Sequence, residues 1–320
     1  MKVEVVRPSE LGPVECRAWS EIQAADATFA SPCLSPWFTR AIASQRDDVL
    51  VGIIGDGNRI AGFFPFQRSS GGDAVPSLER MADYEGVIAL PHADWNACDL
   101  LRGCRLDAWN FRVLVGRQEQ LLPYHDSTSF SPVLDLRRGF DAWFEAIQRP
   151  GSRLRRHLNA QRRTLERTLG PLRFEYHDAS PESLRRLRAW KSAQYLRTGL
   201  PDHLATPWVA AMVESVRDAQ SDDFSGTLSV LRAGDRIVAA HLGMRSRTVW
   251  HYWLPSYDRS LARCSPGLLL LIEMAKDAES RGIHFIDLGQ GKQEYKARFS
   301  NASTSFARGS VCVASRAVHA

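Results

Sequence analysis

Two similar hairpin patterns, 177 residues apart, constrain the fold more than any other feature of this sequence. The second strand of each hairpin carries the similarity: residues 59–68 align with residues 236–245, and three of the ten aligned positions are identical. Each hairpin follows an initial strand and two helices in the same predicted order. Self-similarity at a fixed offset is typical of a repeated structural unit. The sequence therefore predicts an α/β fold of mixed sheets, built from two copies of one unit.

The pattern predicts a first unit over residues 1–136 and a second over residues 171–320. Between them, residues 137–170 form a predicted Arg-rich helical connector, interrupted at Pro150-Gly151. The last predicted strand, residues 310–314, is assigned to the second unit, although the pattern also allows it to cross back to the first.

Composition limits the class of protein. Apolar residues make up 44% and charged residues 24% of the chain, as in globular domains. The formal net charge of +5 suits an anionic ligand such as a nucleotide-bearing cofactor without requiring nucleic acid. The 6 cysteines form no C-x-x-C pair and predict no metal site. No signal peptide or membrane span is evident, so we expect a cytoplasmic protein with reduced thiols.

The order strand, two helices, hairpin, strand, apolar helix, strand, short helix, strand resembles the GNAT acyltransferase fold. Four segments extend the resemblance to the CelD-type acyltransferases, which are related to the FemAB-like transferases. They are Ser-Pro-Trp-Phe at 35–38, Gly-Phe-Phe-Pro-Phe at 62–66, Asp-Tyr-Glu-Gly at 83–86 and Phe-Ile-Asp-Leu-Gly-Gln-Gly at 285–291. The resemblance covers residues 31–299. It implies two tandem GNAT-like units, the first degenerate, with acetyl-CoA or another acyl-CoA as co-substrate.

The resemblance places the pyrophosphate of coenzyme A at the start of the apolar helix, at Ser265, Pro266, Gly267 and Leu268, with Arg263 just upstream. We expect Ser265 to cap this helix. The chain has one glycine where GNAT enzymes usually have a glycine-rich loop, so a well-capped buried helix is the alternative interpretation.

The strand before this helix contains a run of large side chains. The resemblance implies that Tyr252, Trp253 and Leu254 line the cleft for the acyl-donor arm. Their preference for strands and for core packing explains the same residues equally well.

Candidate catalytic residues follow from the same resemblance. Tyr295 stands where many GNAT enzymes place a tyrosine that protonates the departing thiolate, and a phenol is a suitable acid for that task. His241, on the second hairpin, and Asp287, at the end of the late strand, are candidate bases. Lys296 is a candidate for neutralising a phosphate or a developing oxyanion. Each also has a structural interpretation, as a core histidine, a packing tyrosine or a surface lysine.

The connector carries seven arginines between Arg149 and Arg167 and a single acid. Arg153, Arg156 and Arg163 are candidate phosphate or substrate ligands, as is Gln290, because arginine binds phosphate in a bidentate manner. A solvated helix face is the alternative.

The sequence thus predicts an acyltransferase that moves an acyl group from acyl-CoA to an amine or hydroxyl of a saccharide or polysaccharide precursor. A FemAB-like transfer from aminoacyl-tRNA and a non-catalytic role in a polysaccharide synthesis complex are the alternatives. The expected partners are a small-molecule or saccharide acceptor and polysaccharide synthesis machinery. Nucleic acid is expected only if the substrate is tRNA.

Overall fold

The computed structural model describes residues 1–57, 59–75, 81–116, 118–148, 152–291 and 293–313. Four predicted features therefore lie outside the described residues: Asn58 of the first turn, Arg149, the break at Pro150-Gly151 and Ala314. The chain divides into two compact units. Unit 1 comprises Met1–Ser131 and the described residues from Thr304 onward, and unit 2 is Pro132–Ser303.

The helices and strands alternate along the chain. The described α-helices are α1 (Pro13–Ala25), α2 (Pro36–Ala43), α3 (Ala97–Gly103), α4 (Gly139–Ala146), α5 (Leu154–Leu169), α6 (Pro181–Arg197), α7 (Pro207–Asp218), α8 (Pro266–Ala278) and α9 (Glu294–Phe299). The strands are β1 (Lys2–Val6), β2 (Val49–Asp56), β3 (Arg59–Arg68), β4 (Ala74–Val75), β5 (Ile88–Ala89), β6 (Ala108–Val115), β7 (His125–Asp135), β8 (Leu172–Glu175), β9 (Ser225–Ala233), β10 (Arg236–Arg245), β11 (Val249–Tyr257), β12 (Phe285–Asp287) and β13 (Ala302–Cys312). The predicted mixed α/β fold class is confirmed.

Unit 1 is built around the first predicted hairpin. Its strands lie in the order β1-β2-β3-β4-β6-β13, and β5 also pairs with β3. Phe64 on β3 packs edge-on against Trp109 on β6, with ring centroids 4.7 Å apart, in the core of the unit. As the Ser-Pro pair predicts, Ser35 caps α2, since its Oγ accepts a hydrogen bond from the Phe38 N–H at 3.1 Å.

Unit 2 is built around the second hairpin, β9 and β10. Its strands lie in the order β7-β12-β11-β10-β9-β8, with β7 contributing from Pro132 onward. Helix α8 supplies seven buried side chains to the hydrophobic core of this unit. Helix α5 buries one face, which consists of Leu154, Leu158, Gln161 and Leu165 at helical spacing.

Strands β11 and β12 run parallel and then separate. Three residue pairs join them, ending at His251 opposite Asp287. Beyond that point the Leu288 N–H donates to the Pro132 carbonyl on β7 at 3.0 Å, so the chain leaves β11. The rest of β11 stays paired with β10. An opening between the two strands is what the resemblance implies for the acyl-donor arm.

A β-bulge lies on β11 beside this opening. Gly243 of β10 faces two residues, Tyr252 and Trp253, because the pairing register shifts between Leu242 and Met244. A Cβ on Gly243 would come within 2.2 Å of the His241 ring and 2.5 Å of the His251 carbonyl oxygen. Only glycine fits there. Bulges often re-aim side chains next to active sites.

The division of the structure differs in detail from the predicted one. The end of unit 1 falls at Ser131 rather than residue 136, and α4 and α5 of the predicted connector belong to unit 2. Strand β13 begins at Ala302, eight residues earlier than predicted, and pairs with β6 of unit 1 from Phe306 to Cys312. The open question of the last strand is thereby resolved: it crosses back to the first unit.

Candidate active site

Tyr295 lies on α9, the short helix after β12. The helix is anchored at its end, where Phe299 is fully buried and its carbonyl oxygen accepts a hydrogen bond from Trp143 Nε1 at 3.0 Å. Tyr295 packs against the unit 2 core. Burial raises the pKa of its phenol to about 12. The side chain is therefore a neutral hydrogen-bond donor across the physiological range.

Tyr252 lies close to both His241 and Tyr295. The rings of Tyr252 and His241 are stacked, with centroids 4.5 Å apart and planes 15° apart. The pKa of Tyr252 is raised well above its ordinary value, first by burial and then by the neighbouring Tyr295. Two tyrosines and a histidine thus lie together, close to the point where the pairing of β11 with β12 ends.

His241 is completely buried. Burial lowers its pKa well below the ordinary 6.5, and the positive electrostatic influence of His251 and Lys191 adds to this effect. The nearby His251 carbonyl acts in the opposite direction. Neither imidazole nitrogen forms a hydrogen bond of good geometry with any described residue. A buried ring with both nitrogens unpartnered is rare in a core.

Lys296 and Asp287 meet around Gly289. Lys296 Nζ, 8% exposed, donates to the Gly289 carbonyl at 3.3 Å and to the Gln290 carbonyl at 2.6 Å. Asp287, the last residue of β12, accepts a hydrogen bond from the Gly289 N–H at 2.8 Å. Lys296 is a buried residue and not a surface lysine. Gln290 itself is half-buried, next to this cluster.

One member of the cluster was not predicted. Lys191 on α6 is 8% exposed, and its Nζ donates to the Pro255 carbonyl on β11 at 3.2 Å. Pro255 is the strand partner of His241. Lys191 falls in phase with the buried Leu184 and Leu187 on the apolar face of α6. The chain has only five lysines, and one of them occupies a core position of a helix. This position was the sequence signal that could have identified Lys191 as a site residue.

The start of α8 differs from the prediction. The Ser265 side chain makes no capping hydrogen bond, because Ser265 has a left-handed backbone with φ 47° and ψ 50°. An N-cap residue that aims its side chain at the helix is normally extended. Instead, Ser265 Oγ accepts from Gln161 Nε2 at 3.0 Å. The expected serine cap is therefore wrong, and the first turn is left without a side-chain cap.

The other residues at this end are arranged as follows. Arg263 is exposed, Pro266 is buried, and Gly267 and Leu268 are half-buried. A Cβ on Gly267 would meet the exposed Tyr257 ring at 3.2 Å. Gly267 therefore lets the Tyr257 ring lie close to the backbone in the first turn of α8.

The remaining predicted cofactor residues follow the bulge on β11. Trp253 is half-buried and Leu254 is buried. Leu254 pairs with Leu242 of β10 and belongs to the core.

The predicted phosphate ligands lie on α5 or at its start. Arg153, Arg156 and Arg163 are all exposed. Gln161 of the same helix reaches Ser265, and Arg162 forms an ion pair with Glu273 of α8 at 2.6 Å. Helix α5 is therefore fixed against α8.

A separate cleft of about 340 Å³ lies between α6 and α7. It contains none of the predicted site residues and is lined by Pro181, Leu184, Arg185, Arg188, Glu214 and Arg217. No group of three His, Cys, Asp or Glu side chains within the described ranges is arranged to hold a metal ion. None of the described helices is long and apolar enough to span a bilayer.

Comparison with solved structures shows the fold. The chain is similar to FemX, with a TM-score of 0.60 and 8% identity over 96% of both chains. It is also similar to the C-terminal domain of a protein named as a lysylphosphatidylglycerol synthetase from Agrobacterium fabrum, with a TM-score of 0.56 and 13% identity over 93% of this chain and 91% of that one. L-PGS from Bacillus licheniformis matches with a TM-score of 0.52 and 11% identity, covering 96% and 93%.

Comparison with curated proteins found no match. Comparison with family models matched residues 152–297 to the model described as an acetyltransferase (GNAT) domain. The matched range includes Tyr252, His241, Asp287 and Tyr295, as well as the start of α8. Residues 152–297 are therefore similar to a GNAT acetyltransferase domain.

Proposed function

We propose that unit 2 transfers an acyl group from acyl-CoA to an amine or hydroxyl group of an acceptor. The observation that carries this proposal is the grouping of Tyr295, Tyr252 and His241 beside the opening between β11 and β12. This grouping lies inside the range that matches the acetyltransferase model. The likeness to solved structures supports the fold and not the substrate.

The start of α8 has the properties that a pyrophosphate needs. Its first turn has no serine cap, Gly267 carries no side chain there, and the exposed Arg263 lies just upstream. The helix dipole also favours an anion there. Ser265, Pro266 and Leu268 would form the rest of this phosphate end, and Tyr252, Trp253 and Leu254 one wall of the acyl-donor cleft.

Four side chains have proposed roles in the transfer. Tyr295 donates a proton to the leaving thiolate, and its raised pKa keeps that proton in place at neutral pH. Asp287 and His241 are the proposed bases that receive the proton of the attacking amine or hydroxyl. Lys296 orders the Gly289-Gln290 backbone and supplies positive charge close to the reacting atoms.

The acceptor proposal rests on the CelD-type resemblance. We propose a saccharide or a precursor of a cell-surface polysaccharide, made in the cytoplasm. The exposed Arg153, Arg156 and Arg163, together with Gln290, would bind phosphates of the donor or the acceptor.

Calorimetric titration of the full chain with acetyl-CoA tests the proposal. We expect saturable binding, and a ligand at 100 times its Kd stabilises a fold by about 2.7 kcal/mol. Gly267→Asp should abolish binding through charge repulsion, and its carboxylate at a helix start does not weaken the helix. Gly267→Ala is the matched control, since it adds the Cβ alone. Absence of binding to any acyl-CoA would remove the proposal.

A second candidate is transfer from aminoacyl-tRNA, which the exposed arginines of α5 favour. Unfractionated tRNA should then bind tightly at 50 mM salt and lose at least tenfold in affinity at 200 mM salt. Copurification with a polysaccharide synthase, without affinity for either donor, would instead favour a non-catalytic role.

A further inference from the structure

Lys191 is a buried cation with little compensation. Within the described ranges its Nζ donates one hydrogen bond, to the Pro255 carbonyl oxygen, and it lies 5.4 Å from the centroid of the Tyr195 ring. Among the described residues, no carboxylate oxygen lies within 4.0 Å of this Nζ. Burial of an ammonium group without an ion pair costs free energy. A bound anion would offset this cost.

A second ammonium faces the first. Lys296 is near enough to Lys191 that its charge, after burial, contributes to lowering the Lys191 pKa to about 8. The two lysines come from different elements, α6 and α9, so the fold and not local sequence brings them together. Like charges at close range repel, and an anion between them would remove that repulsion.

His241 is the third member of this cluster, because the charge of Lys191 contributes to lowering the His241 pKa. Its two ring nitrogens lack partners among the described residues, although the residue is completely buried. Nitrogens in this state are available to a bound group. The Lys191 ammonium thus lies against Pro255, the strand partner of His241, with Lys296 as a second cation nearby. Among the described residues, Lys191 has no acidic partner.

We propose that Lys191 and Lys296 form a binding site for an anionic group of the acceptor, a carboxylate or a phosphate, with His241 as an additional hydrogen-bond partner. This inference extends the proposed acyl transfer, and it rests on that proposal in taking the bound anion to be part of the acceptor. The substrate class becomes an acidic saccharide or precursor, whose anion anchors it close to Tyr295.

The site can be tested without knowing the acceptor. Sodium acetate and sodium sulfate serve as probes for a carboxylate and for a tetrahedral phosphate-like anion, titrated into the full chain at constant ionic strength set with chloride. We expect calorimetry to detect binding of at least one of the two anions. The same anion should raise Tm above the value measured in chloride alone. Acetate alone would indicate a carboxylate acceptor, and sulfate alone a phosphorylated one. Failure of both would overturn the proposal.

Two variants separate this site from general salt effects. Lys191→Met should weaken anion binding at least tenfold, and it should fold because it removes a buried charge. Lys276→Met removes an exposed lysine of the same unit and should bind like the wild type. Equal binding by all three proteins would contradict the proposal.

The pH dependence of the wild type supplies a measurement that needs no variant. Because the pKa of Lys191 is about 8, its protonated fraction falls roughly tenfold between pH 7 and pH 9. Anion binding should weaken by the same factor, since neither probe titrates in this range. The charged and titratable groups near Lys191 are Lys296, Tyr195 and His241, and His241 is already neutral at pH 7. An anion affinity that stays constant from pH 7 to pH 9 would contradict the role of Lys191 as an anion ligand.

The outcome also distinguishes the two proposals. Anion binding without affinity for acetyl-CoA would keep the site and remove the acyl transfer. Acetyl-CoA binding without anion binding would keep the transfer and remove the site.

Discussion

At the scale of single residues, burial sets the protonation state of each group near the bulge. It raises the pKa of Tyr295 and Tyr252 and lowers that of His241 and Lys191, so it favours the neutral form in every case. Neutral tyrosine and neutral histidine are the forms that a proton donor and a proton acceptor require at pH 7. The same burial thus prepares both halves of a proton transfer.

Tyr295→Phe should lower kcat for acyl transfer about 10²-fold, because general acid catalysis typically contributes that much or more. Acetyl-CoA affinity and Tm should stay unchanged, since the ring remains. With a pKa of about 12, Tyr295 should cause no loss of rate between pH 7 and pH 10. Steady-state kinetics with Tyr124→Phe, a half-buried tyrosine of unit 1, as control check this. Equal rates would exclude the acid role.

His241→Met should change how stability depends on pH. The folded pKa of His241 lies below the unfolded 6.5, so the unfolded chain binds the additional proton as pH falls. The wild type should therefore lose stability below pH 6.5, by up to about 1.4 kcal/mol per pH unit from this group. Urea unfolding at pH 7.5 and 5.5 should show a smaller loss in His241→Met.

The exposed His284 provides the comparison for that experiment. His284→Met should retain the full wild-type loss of stability. If both variants followed the wild-type curve, His241 would be able to take up a proton in the folded state.

Residue-level prediction succeeded where a local pattern carried the signal. Asp287 was expected at the end of its strand, and it is the last residue of β12. Lys191 was missed because its neighbours His241, Pro255 and Lys296 lie 50 or more residues away along the chain. Helical phase alone marked it as buried and gave no indication of a second lysine beside it.

At the scale of elements, α9 depends on α4. The helix has six residues, too few to be stable alone, so tertiary contacts must hold it and its Tyr295 in place. The hydrogen bond from Trp143 of α4 to the Phe299 carbonyl is a buried contact at its last residue. The orientation of the proposed acid thus depends on a side chain more than 150 residues earlier in the chain.

Trp143→Phe should lower the free energy of unfolding by about 1–3 kcal/mol, since it leaves the buried Phe299 carbonyl without this donor. It should also lower kcat more than it changes the affinity for acetyl-CoA. Urea unfolding and kinetics check both effects. Trp190→Phe, at a half-buried position on α6, is the matched control and should have little effect on kcat. If Trp190→Phe lowered kcat as much as Trp143→Phe does, the proposed role of α4 in holding α9 would be contradicted.

Element boundaries were predictable where proline marks a helix start. Pro36, Pro181, Pro207 and Pro266 each begin a helix as expected. The prediction that Ser265 caps α8 was wrong, because the Ser-Pro pattern does not reveal that Ser265 adopts a left-handed backbone. This backbone turns the Ser265 side chain toward Gln161 of α5. That contact spans 104 residues and is not a local property.

At the scale of the whole molecule, the two units share a hairpin but differ at the helix that would bind a phosphate. In unit 1, α3 starts with an Asn96 side chain that accepts from the Asp99 N–H at 2.9 Å, and Asp99 adds a negative charge to the first turn. Its N-terminus is therefore already satisfied. In unit 2, α8 has neither a side-chain cap nor an acid in its first turn. The repeat was visible in the sequence, whereas this functional difference was not.

This asymmetry predicts one acetyl-CoA per chain, bound by unit 2. Calorimetry of the full chain should give a stoichiometry near one, and Gly267→Asp should remove all of the heat of binding. Asp99→Asn removes the acidic charge at the start of α3 and should leave stoichiometry and affinity as in the wild type, because the Asn96 cap still occupies that helix end. A stoichiometry of two, or binding that survives Gly267→Asp but is altered by Asp99→Asn, would place a donor site in unit 1 and contradict its proposed degeneracy.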